Sequence, residues 1–325
     1  MKRILIIITI SITSILLISC NKNLEFEEYN NDTFGYINIK KDEVKLLQIT
    51  DLHLTYGFDY LDRKTFTLID NLVNKEEPDI IVVTGDIMMS IISQSVLKKF
   101  IKNMDKYNIP WTFIFGNHEA DYQQIEKSLN TILSIKTKNL YFHKGPKLSD
   151  SNTHGNSNFI LKITNNNKPV LNLYLFDSKA DRTDGIKDER FPYDYLSEEQ
   201  VSWYKENVEE DTVESLFFVH IPLMEYLEYD GSNLGEDIWP QGKNTGLFQT
   251  IINTGSKTRG VFVGHDHLNN IEFFYEGILL AYGNTTGYNA YGLNPRGART
   301  INYNYNTKVL ETYLVLDSEV LQWNK

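Results

Sequence analysis

The sequence predicts an α/β fold, on three observations. Apolar, β-branched runs of strand length alternate with segments of helical apolar spacing from residue 44 to residue 135. Several of these runs stop abruptly at Gly, Asp, Asn or His. With 41% of 325 residues hydrophobic, the chain can also bury a sizeable core.

The elements follow in order. Val44 to Thr50 reads as a strand, and Arg63 to Lys75 as a helix with Phe66, Ile69, Leu72 and Val73 on one face. Ile80 to Thr84 is a buried strand bounded by Pro78 and Gly85. Val96 to Tyr107 is a helix, Trp111 to Phe115 a strand, and Asp121 to Ile135 a helix. This βαβαβ order argues for parallel strands with helical crossovers. Later strands are Leu171 to Phe176, Leu216 to Val219, Gly260 to Val263 and Ile278 to Ala281. Ser197-Glu198-Glu199-Gln200 is a capping box opening a helix through Val208. Residues 150–158 and 164–168 are Asn/Ser-rich and read as loops. There is no internal repeat, so residues 44–325 form one expected domain.

The N-terminus is an address. Lys2 and Arg3 precede fifteen uncharged residues, Ile4 to Ile18, too short for a comfortable spanning helix. The run ends in Leu17-Ile18-Ser19-Cys20, which resembles the bacterial lipobox. That resemblance implies a signal peptide over 1–19, acylation of Cys20, a polar tether over 20–43, and an exported protein anchored to the cell membrane or envelope. Cys20 is the single cysteine, so an intramolecular disulfide is excluded. The net charge of −11 without a basic run argues against a nucleic-acid-binding surface.

Five of the seven histidines lie just after apolar strands. The first strand runs into Asp51-Leu52-His53, the second into Gly85-Asp86, and the third into Gly116-Asn117-His118-Glu119. Later strands end at His220 and at Gly264-His265-Asp266-His267. The carboxyl ends of parallel strands form the ligand crevice of α/β sheets. Carboxylates, an amide and imidazoles without a thiolate favour Mn, Fe or Zn. Asp51 and His53, like His265 and His267, stand at i and i+2 and can point the same way at a strand end. His143 and His154 lie in polar loop context and read as solvated.

Together these five blocks resemble those of the calcineurin-like metallophosphoesterases. His220-Ile221-Pro222-Leu223-Met224-Glu225-Tyr226, Gly264 to Asn270 and Tyr282 to Tyr288 are similar to the purple-acid-phosphatase-related branch. The resemblance implies a two-sheet β-sandwich flanked by helices, of which the βαβαβ segment is the metal-binding half. It implies two divalent ions (Mn, Fe or Zn). Asp51, His53 and His267 would hold the first, Asn117, His220 and His265 the second, and Asp86 would bridge. Two such ions clamp a phosphate ester and ionise the attacking water. His118 would face the substrate and protonate the leaving group, with Glu119 a candidate to orient it. Arg296, Arg299 and Tyr288 are candidate contacts to the substrate phosphate, Arg because its fork matches phosphate oxygens; Tyr291 is a further candidate pocket residue.

Two positions depart from the family pattern. Met89 stands where purple acid phosphatases carry a tyrosine ligand, which favours a divalent pair over an Fe(III) centre. Asn284 stands where the branch has Arg. The expected activity is hydrolysis of phosphate esters, monoesters first. The alternatives are a phosphodiesterase on the same scaffold and a non-catalytic surface-binding lipoprotein. Only 58 residues follow His267, room for closing strands but not for a large substrate domain. Glu225 to Asn244 reads as an insertion overhanging the site.

Overall fold

The computed structural model describes residues 34–318, apart from 136, 147, 149–154 and 256. The expected signal peptide, Cys20 and His154 lie outside the described residues. Two sheets stack with helices on their outer faces, as the resemblance implies.

The smaller sheet holds β2 (Glu43–Ile49), β3 (Ile80–Thr84) and β4 (Trp111–Ile114) as parallel neighbours. The crossovers are α1 (Tyr60–Glu76) and α2 (Ser93–Asp105), and α3 (Ile125–Ser134) follows β4. Helix and strand predictions agree here within a few residues. Asp59 caps α1 through the amides of Leu61 and Asp62, where helix-end donors need a partner. The sheet is completed by β11 (Gly297–Asn304), antiparallel to β2, and β12 (Val309–Leu316) at the edge.

The larger sheet has the order β1-β5-β6-β7-β8-β10-β9. Its strands are β1 (Phe34–Ile39), β5 (Asn158–Asn165), β6 (Lys168–Phe176), β7 (Ser215–Phe218), β8 (Thr258–Val263), β9 (Glu272–Tyr275) and β10 (Ile278–Tyr282). The sheet's central strands are apolar on both faces because both are covered. Leu173 and Leu175 of β6 and Leu216 and Phe218 of β7 join the core between the sheets. Tyr174, Phe176 and Phe217 join a second core beneath α4 (Glu198–Glu210) and α5 (Leu247–Asn253). The predicted capping box is present at α4, with Ser197 and Gln200 bonded reciprocally.

Three local readings are corrected. The tether cannot extend to residue 43, because Phe34 to Ile39 pair in parallel with β5 as a sheet edge. Its alternation of Tyr36 outward and Ile37 inward is too short to distinguish from a polar spacer by pattern alone. Residues 164–168 are not all loop: β5 and β6 form a hairpin in which only Asn166-Asn167 turn, both in the left-handed region. His143 is half-buried rather than solvated, and burial pushes its pKa down to about 4.

Candidate metal centre

The ligand-bearing loops of both sheets meet at one end of the sandwich. Asp51, His53, Asp86 and His265 all have positive φ, between 46° and 80°. Side chains there are therefore aimed by left-handed turns, not by strand alternation, which corrects the i, i+2 argument for Asp51 and His53. Such backbone costs energy and persists where the surroundings over-determine it. Here the His53 amide donates to the Asp86 carbonyl (3.0 Å), and the Asp51 amide donates to that of Gly85 (3.2 Å). Two glycines permit the approach. A Cβ on Gly116 would lie 2.2 Å from Asp86 Oδ1, and one on Gly85 would lie 2.5 Å from His220 Nδ1.

One group comprises Asp51, His53, Asp86 and His267, all buried, with donor atoms within 4.8 Å of one another. The Nε2 atoms of His53 and His267 are 3.0 Å apart. Asp86 Oδ2 lies 3.5 Å from His53 Nε2 and 3.2 Å from His220 Nε2. Beyond Asp86, Asn117 Oδ1 is 3.0 Å from His220 Nε2 and 2.9 Å from His265 Nδ1. All seven side chains predicted as ligands are thus gathered around Asp86, which faces both groups.

The residues fit divalent ions on physical grounds. Two imidazole nitrogens converge on one point beside two carboxylates, an arrangement that cation binding relieves. The His220 Nδ1–H donates to the Thr84 carbonyl (2.7 Å), leaving Nε2 with its lone pair toward Asp86. Such an outer bond fixes the tautomer of a metal-ligating histidine. Burial pushes His53 down to about 4 and His265 to about 3, so both are neutral and able to ligate. Burial also lowers His220, but the Asp86 carboxylate outweighs it and raises its pKa to about 10.

The family is now decided by comparison. Residues 44–269 match the model of the calcineurin-like phosphoesterases. This chain belongs to that family. It is 30% identical over 287 residues to an Arabidopsis thaliana protein named "Probable inactive purple acid phosphatase 29", covering 77% of this chain and 73% of the relative. It is also 30% identical over 265 residues to "Phosphatase DCR2" of Saccharomyces cerevisiae, covering 70% of this chain but 44% of that one. A dimetal phosphatase from Danio rerio shares the fold, at a TM-score of 0.55 and 13% identity, covering 84% of this chain and 98% of that one.

Against this family background, His118 stands one step back from the cluster. Its Nε2 is 4.0 Å from Asp86 Oδ2, and its side chain is 30% exposed where the other site histidines are buried. Its Nδ1–H donates to Asp121 Oδ2 at 2.6 Å. Burial lowers its pKa, yet the Asp86 and Asp121 carboxylates prevail and raise it. The orienting partner is therefore Asp121, not Glu119. The i, i+3 spacing from His118 was the signal available in the sequence. Glu119 instead turns inward, accepting from the amides of Gly116 (2.5 Å), Asp86 (3.0 Å), Ile87 (2.5 Å) and Met88 (3.3 Å). It locks the Asp86 loop to the Asn117 loop.

The three candidate phosphate contacts belong to the scaffold. Arg296, 4% exposed, donates to the carbonyls of Ala290, Tyr291 and Gly292. Arg299, 1% exposed, donates to the carbonyls of Tyr282 and Asn270 and pairs with Glu272. Tyr288 faces α1, with Lys64 Nζ 3.7 Å from its ring and its hydroxyl on Asp317. Asn284 bonds the Pro295 carbonyl in the same scaffold.

Sequence reasoning named Tyr291 only as a candidate pocket residue and missed Tyr193 and the ties from the insertion. The Tyr193 ring meets His265 edge-on at 4.3 Å. Tyr291 stacks on His267 at 4.0 Å, and its hydroxyl donates to Glu236 of the insertion (2.8 Å). The Trp239 amide donates to Asp266 Oδ2 (3.2 Å), tying the insertion to the loop between the two histidines. No local pattern announces these contacts, which span 24 residues or more.

Proposed function

We propose that this protein hydrolyses phosphate esters, monoesters in preference, at a centre of two divalent ions. The completeness of the donor set carries the reading: seven side chains converge around Asp86, and His118 stands beside them with its Nε2 free of a short contact. Asp51, His53 and His267 would hold one ion, Asn117, His220 and His265 the other, with Asp86 shared. Bound there, divalent cations supply positive charge to the phosphate oxygens and an acidified water as nucleophile. His118 delivers a proton from Nε2 to the leaving oxygen. Asp121 fixes that tautomer through Nδ1 and, together with the Asp86 carboxylate, raises the ring's pKa. The Arabidopsis relative's name calls it probably inactive; in this chain every donor position is filled by a competent side chain.

We also infer that Cys20 is acylated after export, which places the catalytic domain on a membrane surface. The test is metal analysis of the purified chain grown with Mn and Fe, alongside rates on an aryl phosphomonoester and its diester. Two ions per chain and faster monoester hydrolysis are expected. An active protein with a single ion would remove the shared role of Asp86, and inactivity with both ions bound would favour the non-catalytic reading.

A further inference from the structure

At the metal-bearing end of the sandwich, each of five loops carries an exposed apolar side chain. Phe58 lies between β2 and α1, Ile91 between β3 and α2, and Tyr122 between β4 and α3. Leu234 lies in the insertion after β7, and Leu293 follows β10. All five are exposed, Phe58 at 61%, Ile91 at 75% and Leu293 at 103%. The turns at the opposite end carry polar residues: Asn166-Asn167, Glu276-Gly277 and Asn306-Thr307-Lys308. Val309, beside the last of these, and Phe274, 70% exposed and two residues before Glu276, are exposed apolar exceptions. Five large apolar side chains on the rim of a polar site are a marker of an interaction surface.

The chain's entry point identifies what that surface meets. Phe34 is in register with Ile160, and Ile160 with Tyr174. The neighbouring pair is Leu175 with Phe218, and His220 follows two residues later. Because β5 runs against β6, the chain enters β1 at the end where β6, β7 and β8 leave, which is the metal-bearing end. Thirteen residues separate Cys20 from Phe34, a reach of at most about 50 Å. An acyl anchor on Cys20 therefore leads into the domain at the end that carries the exposed apolar side chains. The chain is acidic overall, so its net charge does not draw it to anionic headgroups.

We propose that the metal-bearing face is the bilayer-facing face: its apolar rim rests in the lipid interface, and the site takes phosphate esters carried at the lipid surface. This rests on the phosphoesterase and acylation readings above. Aromatic and aliphatic side chains in this setting bury their apolar bodies at the headgroup boundary.

The experiment uses the full chain reconstituted into phosphatidylcholine vesicles containing phosphatidic acid. Acylation occupies the single native thiol, so Leu293→Cys and Thr307→Cys each accept one fluorescent label. Quenchers on the lipid chains should quench the label at 293 and spare that at 307. In a second arm, Phe58→Ser/Ile91→Ser/Leu293→Ser should lower hydrolysis of the vesicle phosphatidic acid at least about tenfold and leave a soluble aryl phosphate unchanged. Quenching at 307 alone, or at neither position, overturns the orientation. So does an equal effect of the triple variant on both substrates, or no effect on either. An unmodified Cys20, read by mass, overturns the anchored orientation and leaves the phosphoesterase reading intact. A parent protein inactive on the soluble aryl phosphate fails that reading instead, and the labels still report the orientation.

Discussion

The two sheets contribute to the site in different ways. Loops of the smaller sheet bring Asp51, His53, Asp86, Asn117 and His118, and backbone amides hold them: Glu119 alone gathers four, and Asp86 Oδ1 accepts from the His118 amide at 2.9 Å. Loops of the larger sheet bring His220, His265 and His267, held by a carbonyl and by aromatic rings from distant segments. The carboxylate half is a nearly closed backbone network, while the imidazole half leans on replaceable side chains. Substitutions in the first half should therefore cost more than those in the supports of the second.

The largest effect is expected at the junction. Asp86→Ala should lose both ions and reduce activity to background, read by metal analysis and rates. Retention of one tightly bound ion would show that the two halves assemble independently.

His118→Asn comes next, because it removes a group of the smaller sheet that is not a ligand. It should keep the metals and slow alkyl phosphates by about 10²-fold or more. Aryl phosphates, whose leaving group needs no proton, should slow much less. Equal slowing of both would assign His118 to positioning the phosphate.

Glu119→Ala should destabilise the fold, since each buried amide left without a partner costs about 1–3 kcal/mol. Thermal unfolding should show it even without metal. An unchanged midpoint would mean that water replaces the carboxylate and that the network is less closed than it looks.

The smallest effect is a shift of pH dependence. Asp121 helps to raise the His118 pKa. Asp121→Asn should therefore lower it, and the alkaline limb of the alkyl-phosphate profile, where His118 loses its proton, should move to lower pH. An unmoved limb would leave Asp86 as the charge that sets His118.

Much of this was legible in the sequence, and the reason is local. β2, β3 and β4 are short runs buried on both faces, so they read as apolar β-branched strings, while α1 announces itself by apolar spacing and α4 by its capping box. Ligands placed immediately after such strands can be numbered without a structure. The same locality hid β1 and β12, whose residues are alternately more and less exposed, and β11, which is largely buried but carries Gly, Arg, Thr and Asn among its apolar residues.

By itself, then, the sequence determined the α/β class, the family resemblance and the positions of the candidate donor side chains, because each of those depends on residues adjacent along the chain. Tertiary structure decided the rest. It gave Glu119 to the backbone and His118 to Asp121, spent Arg296 and Arg299 on carbonyls, and set Tyr291 of one loop against His267 of another. It also decided that the first strand enters at the metal-bearing end. Those outcomes depend on which carbonyls and rings come within hydrogen-bond or van der Waals reach after the sheets stack, and spacing along the chain carries no record of that.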